Sequence, residues 1–217
     1  MDMLSNLYKN RFKEKELEEK YKIWKVLYHN FLYKFISETD IVLDLAAGYC
    51  EFINNISCAK KIALDLNTDI QKFADKNVQI IISDASNIKL ENNSVDVCFI
   101  SNFFEHMPTK NAILNVLNEC YRVLKINGKI IILQPNIKYV KGAYWDFFDH
   151  VLPLTDKSLK EALLLSNFSI SKVIPKFLPY TTKSKIPKKL FFIKTYLNIP
   201  FLWNFFGKQS LLIGIKK

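Results

Sequence analysis

The chain has 217 residues, enough for one α/β domain of ordinary size or two small ones. With 49% apolar residues, 24% charged residues, 5 glycines and 7 prolines, the composition excludes disordered, collagen-like and low-complexity architectures. The formal net charge of +10 is segregated: residues 1–161 balance 21 Lys and Arg against 21 Asp and Glu, whereas residues 162–217 carry 10 lysines and no acid.

At the start, Met1-Asp2-Met3-Leu4-Ser5-Asn6 has no basic segment leading into an apolar run, so no signal peptide is expected. No apolar stretch reaches the ~18 residues of a membrane-spanning helix. Residues 9–36 read as a helix, because Leu17, Tyr21, Trp24, Leu27 or Tyr28, Phe31 and Phe35 recur at three- and four-residue steps. The period then changes. Ile41–Leu45, Lys61–Asp65, Val78–Ile82, Val95–Ile100 and Lys129–Leu133 are short apolar runs of the kind that form buried parallel strands. Helical patterns between them include Phe52, Ile53 and Ile56, then Ile70 and Phe73, and most clearly Ile113–Leu124. Beyond Thr155 a helix (Leu159, Leu163, Leu164) leads to a strand at Phe168–Phe177, and Ser210–Ile215 reads as an edge strand. Alternating strands and helices predict a mostly parallel seven-stranded sheet with helices on both faces and a helical insertion before the last strand. We expect one domain: an N-terminal helical segment (1–37), a core (38–177), a basic aromatic insertion (178–207) and a final strand (208–217). Cys50, Cys58, Cys98 and Cys120 lack CxxC spacing, which suits reduced, packed thiols and a cytoplasmic setting.

In such a sheet ligands bind beyond the carboxyl ends of the strands, so the residues there carry the functional information. The first strand ends in Asp44-Leu45-Ala46-Ala47-Gly48-Tyr49-Cys50-Glu51-Phe52, a small-residue turn that lets a ligand approach the backbone. The second ends in Asp65, where a carboxylate can accept from both hydroxyls of a ribose. The third is followed by Ser83-Asp84-Ala85 and the fourth by Ser101-Asn102-Phe103-Phe104-Glu105-His106. Each acid alone would serve equally well as a helix cap or turn former; their succession after the turn is what points to an adenosine-containing ligand.

This order resembles the class I S-adenosylmethionine-dependent methyltransferases, whose first motif is an acid followed by three alternating glycines. Asp44–Cys50 matches in register, with Ala46 and Cys50 in place of two glycines. The resemblance implies a Rossmann-like fold and S-adenosylmethionine as cofactor. It implies Asp44, Ala46, Gly48, Asp65, Leu66, Asp84, Ala85 and Ser101 as its binding residues: Asp65 on the ribose, Asp84 with Ala85 on the adenine, Ser101 near the methionine. The stretches Leu133–Asn136, Tyr144–His150, Leu152–Thr155 and Leu178–Ser184 resemble a bacterial subgroup associated with surface-polysaccharide gene clusters.

Methyl transfer to a hydroxyl benefits from a general base. Among His29, His106 and His150, the aromatic loop after the fifth strand makes His150 the first candidate and His106 the second. As a loop residue His150 would equally well hydrogen-bond its own backbone. Glu105, His106, Asp149 and His150 all offer ligand atoms, but no HxxxH or carboxylate cluster stands out, and no metal is expected. Lys183, Lys185, Lys188 and Lys189 suit an anionic acceptor, so the expected acceptor is a small molecule or glycan, anionic or lipid-linked. A solvated basic face over a local apolar cluster explains the same residues equally well. Peripheral contact with the inner face of a membrane is a further reading of the lysines and aromatics. Arg11 and Arg122 are the only arginines, which weighs against nucleic acid. The alternatives are an RNA methyltransferase using the basic tail, and a non-catalytic cofactor-binding or interaction protein.

Overall fold

The computed structural model describes residues 14–180 and 190–217. Residues 9–13 of the expected first helix, and the lysines at 183, 185, 188 and 189, lie outside the described residues. Helix α1 spans Glu14–Asn30, followed by a 3-10 turn at Leu32–Phe35 rather than an unbroken helix to residue 36. The strands are β1 (Ile41–Leu45), β2 (Lys60–Asp65), β3 (Val78–Ile82), β4 (Val95–Ser101), β5 (Leu124–Pro135), β6 (Phe168–Leu178) and β7 (Gln209–Lys216). The remaining helices are α2 (Glu51–Asn55), α3 (Lys110–Val123), α4 (Ile137–Val140), α5 (Asp156–Leu165), α6 (Leu190–Asn198) and α7 (Pro200–Phe206).

The sheet order is β3-β2-β1-β4-β5-β7-β6. The pairs from β3 through β5 are parallel, and β7 runs antiparallel to both β5 and β6. Alternate side chains go to opposite faces of each strand, which divides the core in two. Val42, Val97, Phe99, Ile131 and Ile213 face α1, α2 and the α6–α7 pair; Leu43, Cys98, Ile100, Ile130 and Leu212 face α3 and α5. On the first face Phe52 stacks on Phe99 with centroids 3.7 Å apart. Phe31, just past α1, packs there with Phe177 of β6 and Trp203 of α7.

The expected edge position of the last strand is not observed: β7 lies inside the sheet and β6 is the edge. The reason is visible in burial. Leu211, Leu212 and Ile213 are all buried, as a strand covered on both faces requires, whereas β6 buries only Phe168 and Phe177 and contains Pro175, whose missing N–H suits an edge. The helix expected after β2 is a 3-10 turn at Thr68–Lys72, and the crossover from β3 to β4 contains no helix. The strand expected at Lys129 begins at Leu124 and passes Asn127 in the left-handed region (φ 63°). The four cysteines are free thiols.

Gly207, between α7 and β7, leaves no room for a side chain. A Cβ there would sit 2.6 Å from the backbone carbon of Lys176 and 2.6 Å from the Trp203 carbonyl oxygen. Neither atom belongs to a flexible side chain. Gly207→Ala should therefore lower unfolding stability by about 1–3 kcal/mol, read from the urea midpoint.

Candidate functional site

After Leu45 the chain turns a corner in which alternate residues Ala46, Gly48 and Cys50 have φ of 57°, 53° and 58°. An L-residue held there costs about 1–2 kcal/mol, so the corner retains a glycine-type backbone with two side chains added. Hydrogen bonds hold it. Ala47 N donates to Leu64 O (3.1 Å), Cys50 N to Ala47 O (2.8 Å) and Gly48 N to Asp65 Oδ2 (2.8 Å). The corner after β1 is thereby tied to the end of β2. The Cys50 side chain points into the core, where burial pushes its thiol pKa upward.

Asp65 also accepts from Asn67 N through Oδ1 at 2.8 Å. An ionised carboxylate offers about four acceptor positions. Burial raises the Asp65 pKa, and the backbone N–H bonds oppose that rise. Asp44 lies deeper. Desolvation, then the neighbouring charges of Glu51 and Asp65, raises its pKa well above the ordinary carboxyl range, against a bond from the Ile53 backbone. Ser83 N donates to Asp65 O at 3.2 Å, so the turn carrying Asp84 adjoins the end of β2. Asp84 is exposed and accepts from Ser86 N (2.7 Å) and Ser86 Oγ (2.6 Å), the turn-forming role. Beside these acids Leu66 and Ile82 remain 56% and 40% exposed, and Ala85 is buried. Ser101, at the end of β4, accepts from Asn102 Nδ2 at 3.0 Å.

Glu105, His106 and His150 form a second group. Their ligating atoms all lie within 4.8 Å of one another. Sequence spacing conceals this cluster; the pairing of β4 with β5 creates it, and Val151 N and Leu152 N then bond Glu105 O at 2.8 and 3.1 Å. Each member is held by another group. His106 Nδ1 lies 3.0 Å from Asp149 O and 3.2 Å from Asp149 Oδ2. Gln134 Nε2 donates to Glu105 Oε2 at 2.9 Å, and Tyr180 OH lies 3.4 Å from His150 Nδ1. His150 is buried, stacked on Phe147 (4.9 Å) and against Tyr144 (4.6 Å). Desolvation raises the pKa of buried Glu105, partly offset by His106. Gln134 and Tyr180 fall in stretches that carry the subgroup resemblance, but sequence reasoning assigns neither a site role, although one amide ending the apolar run of β5 is a readable signal. His29 is exposed on α1, away from this group.

Residues 43–132 match the family model described as a methyltransferase domain. The chain is 22% identical to a SAM-dependent methyltransferase from Archaeoglobus fulgidus (TM-score 0.65, 88% of this chain and 92% of that one). It is 16% identical to a Thermotoga maritima SAM-dependent methyltransferase described as a possible histamine N-methyltransferase (TM-score 0.68, 94% and 95%). The fold is that of the S-adenosylmethionine-dependent methyltransferases. Among curated proteins, a methyltransferase-like protein of Schizosaccharomyces pombe is 30% identical over 131 residues, covering 58% of this chain and 45% of that protein. The demethylmenaquinone methyltransferase of Lactococcus lactis is 26% identical over 138 residues, covering 56% and 54%. The chain spans about half the length of these relatives. The domain match and the methyltransferase fold indicate S-adenosylmethionine as the cofactor.

The residues present fit that cofactor. A methyltransferase site needs a backbone that a ligand can approach, acceptors for a ribose and an apolar bed for an adenine. The left-handed corner at Ala46–Cys50, the carboxylate of Asp65 and the exposed Leu66 and Ile82 have those properties.

The raised pKa of Asp44 gives a test with a definite sign. The folded state binds its proton more tightly than the unfolded chain. Its contribution is fully present below the ordinary value of 3.8 and is lost as pH rises through the elevated folded pKa. Asp44→Asn, which cannot titrate, should gain stability relative to the parent across that rise, measured by urea unfolding at a series of pH values.

Proposed function

We propose that this protein moves a methyl group from S-adenosylmethionine to a hydroxyl oxygen of a small-molecule or glycan acceptor. The carrying observation is the Glu105–His106–His150 cluster beyond the carboxyl ends of the parallel strands, the same end that carries the Ala46–Cys50 corner and Asp65. The bound cofactor supplies an activated methyl on a positively charged sulfur. The protein must therefore position the reactants and exclude water.

Asp65 would take the ribose hydroxyls on its remaining acceptor positions, with exposed Leu66 beside it. Asp84 and Ala85 would border the adenine, Ala46 and Gly48 would face the methionine part with Ser101, and buried Asp44 would stay beneath the ligand's reach as part of the same motif. His150 is the proton acceptor: its buried imidazole would take the proton of the acceptor hydroxyl, while the cofactor would supply the activated methyl. His106 stands beside it, with ring centroids 5.1 Å apart. The enclosure by Phe147, Tyr144 and Tyr180 supports this assignment, because it limits water around the imidazole. The Lactococcus lactis relative is named for demethylmenaquinone, which supports a small-molecule acceptor. The resemblance of Tyr144–His150 and Leu133–Asn136 to the surface-polysaccharide subgroup supports an acceptor from that biosynthesis.

A second reading rests on the composition of the same cluster. Two imidazoles and one carboxylate, each held by an outer partner, make a three-ligand set for a divalent ion. In that case the histidines bind the ion and do not take the proton.

Asp65→Ala should weaken S-adenosylmethionine binding about 10- to 100-fold, from loss of charge-assisted hydrogen bonds, measured by calorimetry. His150→Ala should leave that affinity within about threefold while lowering turnover at least about a hundredfold. Turnover that survives exhaustive chelation supports His150 as the base; loss restored by a divalent ion supports the second reading. Near-normal turnover of His150→Ala removes the residue from both roles.

A further inference from the structure

The α6–α7 pair joins the end of β6 to the start of β7 and presents two unlike faces. Inward, Tyr196, Leu197 and Trp203 are buried; Tyr196 OH donates to Phe177 O (2.6 Å) and Trp203 Nε1 to Tyr196 O (2.9 Å). Outward, Phe191, Phe201 and Phe205 keep 73%, 66% and 66% of their surface exposed, and Phe192 and Phe206 are exposed as well. Scattered exposed apolar residues need no explanation, but here five exposed phenylalanines crowd two consecutive short helices, Phe191 against Phe192 (5.8 Å) and Phe201 against Phe205 (5.0 Å). The inner bonds hold this patch in place, so its exposure is a property of the packed fold.

Charge indicates what the patch meets. Residues 162–217 contain 10 lysines and no acid, and exposed Lys194 and Lys208 lie on α6 and just after α7. Aromatic side chains flanked by lysines without an acid match an anionic interface, into which such helices settle about 5–10 Å. Among the described residues no helix is long and apolar enough to cross a membrane. The position is equally informative. Ser210 pairs with Gln134, Asn136 N donates to Lys208 O (3.0 Å) and Gln209 Nε2 donates to Pro179 O (2.9 Å). The pair therefore connects to the sheet at the carboxyl end of β5, the end that holds Gln134, Glu105 and His150.

We propose that α6–α7 is a membrane-docking face that seats the protein on an anionic phospholipid bilayer with its ligand end toward the lipid. This goes beyond the methyl-transfer reading and does not depend on it.

Flotation of the full chain with vesicles tests the proposal. The protein should float with phosphatidylcholine vesicles containing phosphatidylglycerol, stay in solution with phosphatidylcholine alone, and release as salt rises. Phe201→Ser combined with Phe205→Ser should lower partitioning at least about tenfold, with the thermal midpoint and cofactor affinity unchanged. Lys194→Glu with Lys208→Glu should also lower it. The proposal is overturned if the parent ignores both vesicle types, floats equally with both, or floats as well after the phenylalanine changes. A concentration-dependent dimer that those changes dissolve would overturn it too, because a second copy then covers the patch. A protein that floats yet binds no S-adenosylmethionine would remove the methyl-transfer reading and leave this one standing.

Discussion

The bond from Gly48 N to the Asp65 carboxylate is the constraint on which the site depends. It ties the corner after β1 to the end of β2, and Ala47 N on Leu64 O makes a parallel tie through the backbone. The corner is costly in itself, because Ala46 and Cys50 occupy a backbone region that favours glycine. Tethering to a neighbouring strand holds it there despite that cost. Asp65 in turn sits where burial disfavours its charge, and the N–H groups of Gly48 and Asn67 offset part of that penalty. A carboxylate in this position gains from any further donor, which is the chemistry of a site that takes sugar hydroxyls.

The second constraint is strand order. The adjacency of β4 and β5 brings the turn after one against the loop after the other, and backbone bonds from Val151 and Leu152 to Glu105 O fasten the two. Glu105, His106 and His150 thereby reach one small volume, with Gln134 at the end of β5 holding the carboxylate. At the opposite end of the sheet, Lys216 of β7 donates to the carbonyls of Tyr121 and Leu124 and to Asn93 Oδ1, fastening the last strand to the end of α3. Such ties fasten the far end, whereas the polar side chains of the ligand end bond chiefly to one another and to nearby backbone.

The aromatic anchor of Phe31, Phe177 and Trp203 links the first helix to the last helical pair. It completes one face of the sheet while the outer phenylalanines of α6 and α7 remain in solvent. A single insertion thus covers the core and presents an apolar surface beside the ligand end.

The amino-acid sequence alone determined the elements whose signal is local. The five apolar runs from Ile41 to Leu133 are strands, the small-residue corner follows the first, and Asp65 closes the second. Period and turn chemistry act over a few residues, so they can be read directly. Tertiary structure decided what depends on partners distant in the chain. It placed β7 between β5 and β6, because only the assembled sheet covers both faces of Leu211–Ile213. It shortened the expected helix after β2 to a 3-10 turn and left the β3–β4 crossover without one. It gathered Glu105 and His106 with His150, and it turned Trp203 inward and Phe201 and Phe205 outward. Sequence periodicity marks an apolar face, but which surface covers that face is set by long-range pairing, whose energy is gained only once the sheet has formed.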